Sequence, residues 1–265
     1  MILDDIIRTK ESEVERLKEA YRGKDVEKLA KSLPRPRDFF KAFKKGKLSL
    51  IAEIKKASPS AGVIRASFDP TYLAKTYEES GASGLSVLTD KQFFMGALEH
   101  IKAAKDSTTI PVLRKDFIID EAQVYESRIS GADAILLIVR ILSDEQLSKF
   151  LSLTASLGMA ALVEVHTIEE ATRAFSVGAG LIGINNRDLS TFTVDINTTA
   201  NIIRALPELK ARVIVSESGI NSKDDVKKLV AAGVDGILVG ESILRSKDSA
   251  GKITELLSIR SGTCE

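Results

Sequence analysis

The chain has 265 residues, 44% of them hydrophobic and 28% charged, with a net charge of +1 at neutral pH. That balance is ordinary for a globular protein and excludes bulk attraction to nucleic acid or an anionic membrane surface. One cysteine, Cys264, excludes an internal disulfide framework and a cysteine-based zinc site. No apolar run approaches the ~18 residues of a transmembrane helix, and Met1 to Lys18 carries charge throughout instead of the apolar core of a signal peptide. A cytoplasmic chain without membrane partners is the expectation.

Residues 3 to 31 read as helical, because Leu3, Ile6, Ile7, Val14, Leu17, Ala20 and Tyr21 recur at helical spacing among Glu, Lys and Arg. Gly23 interrupts the pattern, and Val26, Leu29, Ala30 and Leu33 form a second short apolar face. Pro34 and Pro36 stop any helix, and Asp38 can cap a short one through Phe43. The charged side chains of this segment are expected to be a solvated face, and its apolar stripe to lie against a main body.

From Leu48 a rhythm sets in, in which short β-branched or leucine-rich runs alternate with amphipathic stretches. The runs are Leu48–Lys55, Gly84–Leu88, Pro111–Lys115, Ala134–Val139, Ala160–Val165, Leu181–Asn185, Arg212–Glu217 and Gly236–Val239. The helical stretches centre on Tyr72–Glu79, Ala97–Lys105, Glu121–Ile129, Asp144–Leu157, Ile168–Val177, Ile196–Leu206, Lys223–Ala232 and Ser249–Ile259. Four junctions share a spelling that begins with Gly81, Gly131, Gly178 or Gly233, each placing glycine just past a helix and a strand within three residues. Near-continuous apolar strands alternating with helices imply a parallel sheet covered by helices. Eight such units predict an α/β fold, a (β/α)8 TIM barrel over residues 47–260, with residues 1–46 as an N-terminal helical extension packed on it in one domain. An open doubly wound sheet is the alternative, weakened by the lack of a Gly-rich dinucleotide fingerprint after the first strand.

In such a barrel the chemistry gathers at the C-terminal ends of the strands. There the sequence places Glu53 and Lys55, the loop Thr89 to Gly96, Arg114-Lys115-Asp116-Phe117, Glu164 and His166, Asn185 to Asp188, Ser216 to Gly219, and Gly240-Glu241-Ser242. Glu53 and Lys55, two apart on a strand, point to the same side. A buried ion pair that only pins the strand would explain this pair alone, but packing does not explain ionisable residues gathered at successive strand ends. Carboxylates Glu53, Glu164 and Glu217 together with Lys55 and Lys115 suit proton transfer, since lysine and glutamate in a dry site shift one another's proton affinity. Metal-ligand spacing is lacking: His166 has no histidine partner in reach. Gly219 and Gly240-Glu241-Ser242 follow the seventh and eighth strands, where many barrels hold a phosphate on backbone N–H groups, with Lys55 and Ser58 in position to complete the cradle.

These residues carry a resemblance. Ile51–Ser60 (IAEIKKASPS), Pro111–Ile119 (PVLRKDFII), Gly131–Ile138 (GADAILLI), Ala161–His166 (ALVEVH), Leu181–Leu189 (LIGINNRDL), Ser216–Ile220 (SESGI) and Leu238–Leu244 (LVGESIL) resemble, in order, the motifs of the indole-3-glycerol phosphate synthases. Arg37-Asp38-Phe39 is similar to part of that family's segment ahead of the barrel. The resemblance implies a lyase that closes, decarboxylates and dehydrates 1-(2-carboxyphenylamino)-1-deoxyribulose 5-phosphate without metal or organic cofactor. It makes Lys115 the general acid toward the ketone oxygen and Glu164 a proton acceptor or donor in dehydration. Glu53, Lys55, Asn185, Glu217 and Ser218 align with its other catalytic positions, the acid role being shared between the two lysines in a way the sequence leaves open. Lys55, Ser58, Gly219, Gly240 and the backbone of Glu241 would meet the phosphate. Phe94, Phe117 and Leu136 would form a slot for the anthranilate ring, with Arg187 at its rim.

Two departures from the family spelling, Glu121-Ala122 and Gln92-Phe93-Phe94, bear on substrate affinity and loop mobility. The expected partner is a small phosphorylated substrate, and the expected state is a monomer. The rivals are another sugar-phosphate barrel enzyme such as an isomerase, which would not need two lysines with three glutamates, and a catalytically silent barrel that binds a phosphorylated metabolite.

Overall fold

The structure, a computed structural model, describes residues 2–44, 46–59, 62–64, 68–188 and 191–259. Cys264, Leu189 and Ser60 of the motifs above lie outside the described residues. Each of the eight expected runs carries a strand: β1 Ser49–Ile54, β2 Gly84–Leu88, β3 Val112–Lys115, β4 Ala134–Ile138, β5 Ala160–Val165, β6 Leu181–Asn185, β7 Val213–Glu217 and β8 Gly236–Val239. They pair in parallel and in sequence, and the sheet closes because β1 pairs with β2 on one side (Ala52 opposite Leu85) and with β8 on the other (Ala52 opposite Val239). A closed parallel sheet with helices outside is the barrel the rhythm predicts; the doubly wound alternative fails on closure.

The helices are α1 Ile2–Tyr21, α2 Val26–Ser32, α3 Pro70–Glu79, α4 Glu99–Ser107, α5 Glu121–Ile129, α6 Asp144–Ser156, α7 Ile168–Ser176, α8 Asn197–Ala205, α9 Lys223–Ala232, the short α10 Glu241–Arg245 and α11 Ser249–Leu257. Their starts are written in the sequence as caps. Asp69 precedes Pro70 at the first turn of α3, Thr167 accepts from Glu170 N, and Asp120, Ser143 and Ser222 each form a reciprocal capping box. The four glycines of the shared junctions all have positive φ, from +81° at Gly178 to +101° at Gly81, the left-handed ending those spellings imply. The departure at Glu121-Ala122 falls in the first turn of α5, where Glu121 pairs with Lys149 at 2.9 Å and takes no part in the cavity described below.

Two apolar layers result. Outside the barrel, strand residues such as Leu50, Ala52 and Ile54 pack against the helices; inside, Ile51, Leu113, Leu136, Leu162, Val215 and Leu238 pack on one another. Phe39, 1% exposed, joins the inner layer from the extension. Asp38 caps the 3-10 turn Phe39–Ala42 that delivers it, and Arg37 donates to the Ile110 and Lys105 carbonyls at 2.9 Å each. At the other end of the extension, α1 lies against the C-terminal ends of β2 and β3. The expectation of a solvated charged face fails at one position there: Lys10 is 1% exposed. Its ammonium sits 2.8 Å from Asp90, 2.8 Å from Asp116 and 2.9 Å from Glu13, so the desolvation it suffers is offset by three carboxylates. Among the described residues no helix is long and apolar enough to cross a membrane.

Candidate active site

The period of two along each strand builds the site. Ile51 of β1, Leu113 of β3, Leu162 of β5 and Val215 of β7 belong to the apolar interior of the barrel. Two residues on, the same strands supply Glu53, Lys115, Glu164 and Glu217, which line the cavity at the C-terminal mouth. Alternate strands contribute to one layer in such barrels, and here the uppermost layer is ionic.

Lys115 is the hub. Its ammonium donates to Glu164 Oε2 at 2.9 Å and to Glu217 Oε2 at 2.8 Å. Burial alone would lower its proton affinity, but the charges of Glu164, Glu217 and Glu53 outweigh burial and hold the ammonium well above the usual lysine range. The two glutamates diverge. Burial also acts on Glu164, yet Lys115 and His166 overcome it and keep the carboxyl well below its usual range. Glu217 is buried with Lys115 as its cationic neighbour and with Glu164 and Glu53 nearby, and its carboxyl is pushed up to about 7. Its Oε1 is buried with no hydrogen-bond partner among the described residues. On β1, Lys55 Nζ lies 2.6 Å from Glu53 Oε1, so the pair does share a side.

Around this layer is a cavity of about 370 Å3. Phe94 and Phe117 form one wall, their ring centroids 6.1 Å apart, with Leu136 also lining the space. Asp90 Oδ1 accepts from Phe93 N at 2.7 Å and Phe94 N at 3.1 Å, holding the aromatic turn, and Gln123 Nε2 donates to the Phe117 carbonyl at 3.0 Å. The lining also includes Lys55, Ser58, Ser218, Gly219, Gly240, Glu241 and Ser242. Ser218 and Gly219 are both left-handed, at φ +66° and +76°, which turns the chain sharply at the end of β7, and a Cβ on Gly219 would sit 2.5 Å from Val194. Gly240 is the cap residue of α10, and a Cβ there would lie 2.4 Å from Glu53 Oε1. Asn185 and Arg187 line the cavity as well; Asn185 Oδ1 accepts from Arg187 N at 3.0 Å, and Arg187 Nη2 lies 3.4 Å from Glu241 Oε2.

All the residues given a catalytic, phosphate or ring role from the sequence therefore line one cavity. Several neighbours at the strand ends do not. Arg114 donates to Thr89, Ser127 and the Gln123 carbonyl and pairs with Asp116 at 3.1 Å and Glu126 at 2.9 Å. Asp116 lines the cavity edge, but its carboxyl is taken up by Arg114 and Lys10; burial is outweighed and it is held down at about 2. Asn186 points away, bonding Ser216, Thr199 and the Ser218 carbonyl. Three positions were given no role by the sequence reading. Lys10 gave no signal among the many lysines of α1. Gly183, within β6, was signalled by a glycine inside a strand, the mark of close approach: a Cβ there would meet Glu217 Oε1 at 2.1 Å. His166, placed by the sequence at the end of β5 and passed over for lack of a histidine partner, lies against Glu164 at 3.3 Å.

The sequence model of the family described as "Indole-3-glycerol phosphate synthase" matches residues 3–256. The chain is 46% identical over 258 residues to the indole-3-glycerol phosphate synthase of Desulforamulus reducens, covering 97% of each. It is 48% identical over 249 residues to that of Chloroherpeton thalassium, covering 92% of this chain and 95% of the relative. Over 264 residues it is 45% identical to that of Thermoanaerobacter pseudethanolicus, covering 99% of each. Among solved structures, a thiamine phosphate pyrophosphorylase from Pyrococcus furiosus superposes with a TM-score of 0.60 over 80% of this chain and 94% of its own, at 17% identity, a likeness of fold alone.

Proposed function

The chain belongs to the indole-3-glycerol phosphate synthase family, and from that premise we propose how its side chains carry the reaction. It is a decarboxylating lyase of tryptophan biosynthesis that converts 1-(2-carboxyphenylamino)-1-deoxyribulose 5-phosphate to indole-3-glycerol phosphate, carbon dioxide and water. The observation that carries the mechanism is the position of Lys115 between Glu164 and Glu217 beneath the aromatic wall.

The substrate's aromatic ring enters the slot of Phe94, Phe117 and Leu136, with Arg187 at its rim. Its phosphate meets Lys55, Ser58, Gly219, Gly240 and the backbone of Glu241, a placement supported by the cavity lining and by the turn at Ser218-Gly219. Held at both ends, the ring carbon that bears the carboxylate faces the ketone carbon, and proximity replaces a collision. That carbon bonds to the ketone carbon while the ketone oxygen takes a proton from Lys115. The bond to the carboxylate breaks, carbon dioxide leaves, and its electron pair returns to the ring. The new hydroxyl then departs as water with a proton from a carboxylic acid, and a carboxylate takes one from the adjacent carbon. Glu217, pushed up to about 7, fits the acid, and Glu164, held ionised, fits the acceptor. Glu53 holds Lys55, and Asn185 and Ser218 orient the reacting chain. The proposal takes the protein as a monomer in the cytoplasm acting on a small phosphorylated molecule.

The test is growth of indole fluorescence when the purified chain meets the carboxyphenylamino-deoxyribulose phosphate, beside Lys115→Ala. The chain has no tryptophan, so an indole signal belongs to product. Signal in the wild type and a loss of several orders of magnitude in Lys115→Ala support the proposal; turnover that survives Lys115→Ala removes the lysine from the acid role.

A further inference from the structure

His166 stands one residue past β5, outside the cavity lining, with its side chain 3% exposed. Both of its ring nitrogens face carboxylate oxygens. Nδ1 is hydrogen-bonded to Glu170 Oε2 at 3.0 Å, while Nε2 is 3.3 Å from Glu164 Oε1, a charge contact without hydrogen-bond geometry. The second contact is built into the backbone: Thr167 caps α7 and places Glu170 in its first turn, where Glu170 Oε2 also accepts from His166 N at 2.7 Å. Glu170 Oε1 accepts from Arg140 Nε at 2.9 Å. On the other side, Glu164 gives its second oxygen to Lys115, which reaches Glu217. The buried charges thus alternate from Arg140 through Glu170, His166 and Glu164 to Lys115.

A neutral imidazole has one N–H and one lone pair, so in this setting its lone pair would be pressed against a carboxylate. Only the imidazolium meets both carboxylates without a lone pair, by a hydrogen bond to Glu170 and by its charge toward Glu164. Removing that charge would leave Glu164 Oε1 facing a neutral ring, and the carboxylate free to turn away from Lys115.

We propose that His166 is a positioning residue of this enzyme, held as an imidazolium between Glu164 and Glu170 so that Glu164 stays ionised and aimed at Lys115. Burial works against the charge, but Glu164 and Glu170 outweigh it and raise the imidazole to about 9. The groups facing the ring are Glu164 on its own strand and Glu170 on α7, with Arg140 behind Glu170 and Lys115 behind Glu164. Arg140 and Lys115 are positive and temper the effect without reaching the ring. The role assigned to Glu164 rests on the mechanism proposed above; the protonation of His166 does not.

The chain has two histidines, so nitrogen-15 imidazole spectra contain two ring systems, assigned with His100→Gln. Burial lowers the proton affinity of His100 below the ordinary histidine value, which separates the two. The expected wild-type result is a doubly protonated His166 at pH 7 with a midpoint near 9. In Glu164→Gln that midpoint falls by at least about tenfold in proton affinity, one unit. His166→Asn is expected to lower kcat on the order of tenfold to a hundredfold with KM little changed. A neutral His166 at pH 7, a midpoint indifferent to Glu164→Gln, or wild-type kcat in His166→Asn overturns the proposal. If turnover persists in Glu164→Gln while the imidazole still titrates high and responds to that substitution, the role of Glu164 has failed and the charged contact has not.

Discussion

Gly183 and Glu217 occupy one volume between them. They lie on neighbouring strands, and a Cβ on Gly183 would stand 2.1 Å from Glu217 Oε1 and 3.2 Å from Leu162. The carboxylate that touches Lys115 is thus seated by the absence of a side chain across the ladder. Gly183→Ala is expected to keep the fold and push Glu217 off Lys115, lowering kcat/KM on the order of a hundredfold. Because both changes act on one carboxylate, Gly183→Ala added to Glu217→Gln should cost little more than Glu217→Gln alone. Steady-state kinetics on the three variants decide it, and full additivity would separate the glycine from the carboxylate.

Glu217 also sets a pH dependence of stability. Its carboxyl is raised in the folded state from 4.5 to about 7, first by burial. Between those values the folded protein binds more protons than the unfolded chain, so this group's contribution to stability falls as pH rises from 4.5 and its penalty is complete above 7. Glu217→Gln has no such proton to lose. The variant should therefore melt above the wild type at pH 8, with the gap closing toward pH 4.5, even as turnover collapses. Melting curves across that range test the sign; a gap that widens toward acid contradicts it.

Lys10 couples the extension to the site. Its partner Asp90 also holds the turn bearing Phe94, and its partner Asp116 follows Lys115 in the chain. Lys10→Met takes the cation from buried Asp90 and leaves Asp116 with Arg114 alone, for a loss of about 3–5 kcal/mol. Melting temperature should drop, and KM should rise more than kcat falls, because the aromatic wall loses its anchor before the proton-transfer groups do. Unchanged melting would show that the two aspartates find other partners.

Much of this was readable in the chain because two periodicities coincide. Glycine at the four shared junctions announces the units, and each odd strand carries an apolar residue followed two places later by an ionisable one: Ile51 and Glu53, Leu113 and Lys115, Leu162 and Glu164, Val215 and Glu217. Local order along a strand is a property of sequence. What lies across the barrel is not. Nothing near Lys10 distinguishes it from Lys18, because its partners arrive some eighty and a hundred residues later. Glu164 and Glu217 are the same residue type on the same layer, yet their proton affinities move in opposite directions, since one meets an imidazole and the other does not. Arg114 and Asp116, which look like site residues from their place at a strand end, are paired with each other, Arg114 also with Glu126 of α5 and Asp116 with Lys10 of the extension.

Closure of the sheet by its first and last strands has a consequence for biosynthesis. A ribosome releases Glu53 early and Gly240, which leaves room for its carboxylate, near the end, so no partial product can carry a working site. Until β8 emerges, the open edge of β1 is a template for any other nascent chain. A chain stopped after Ala232 is expected to be inactive and to self-associate in sedimentation, whereas a monomeric, active fragment would mean that the barrel need not close to function.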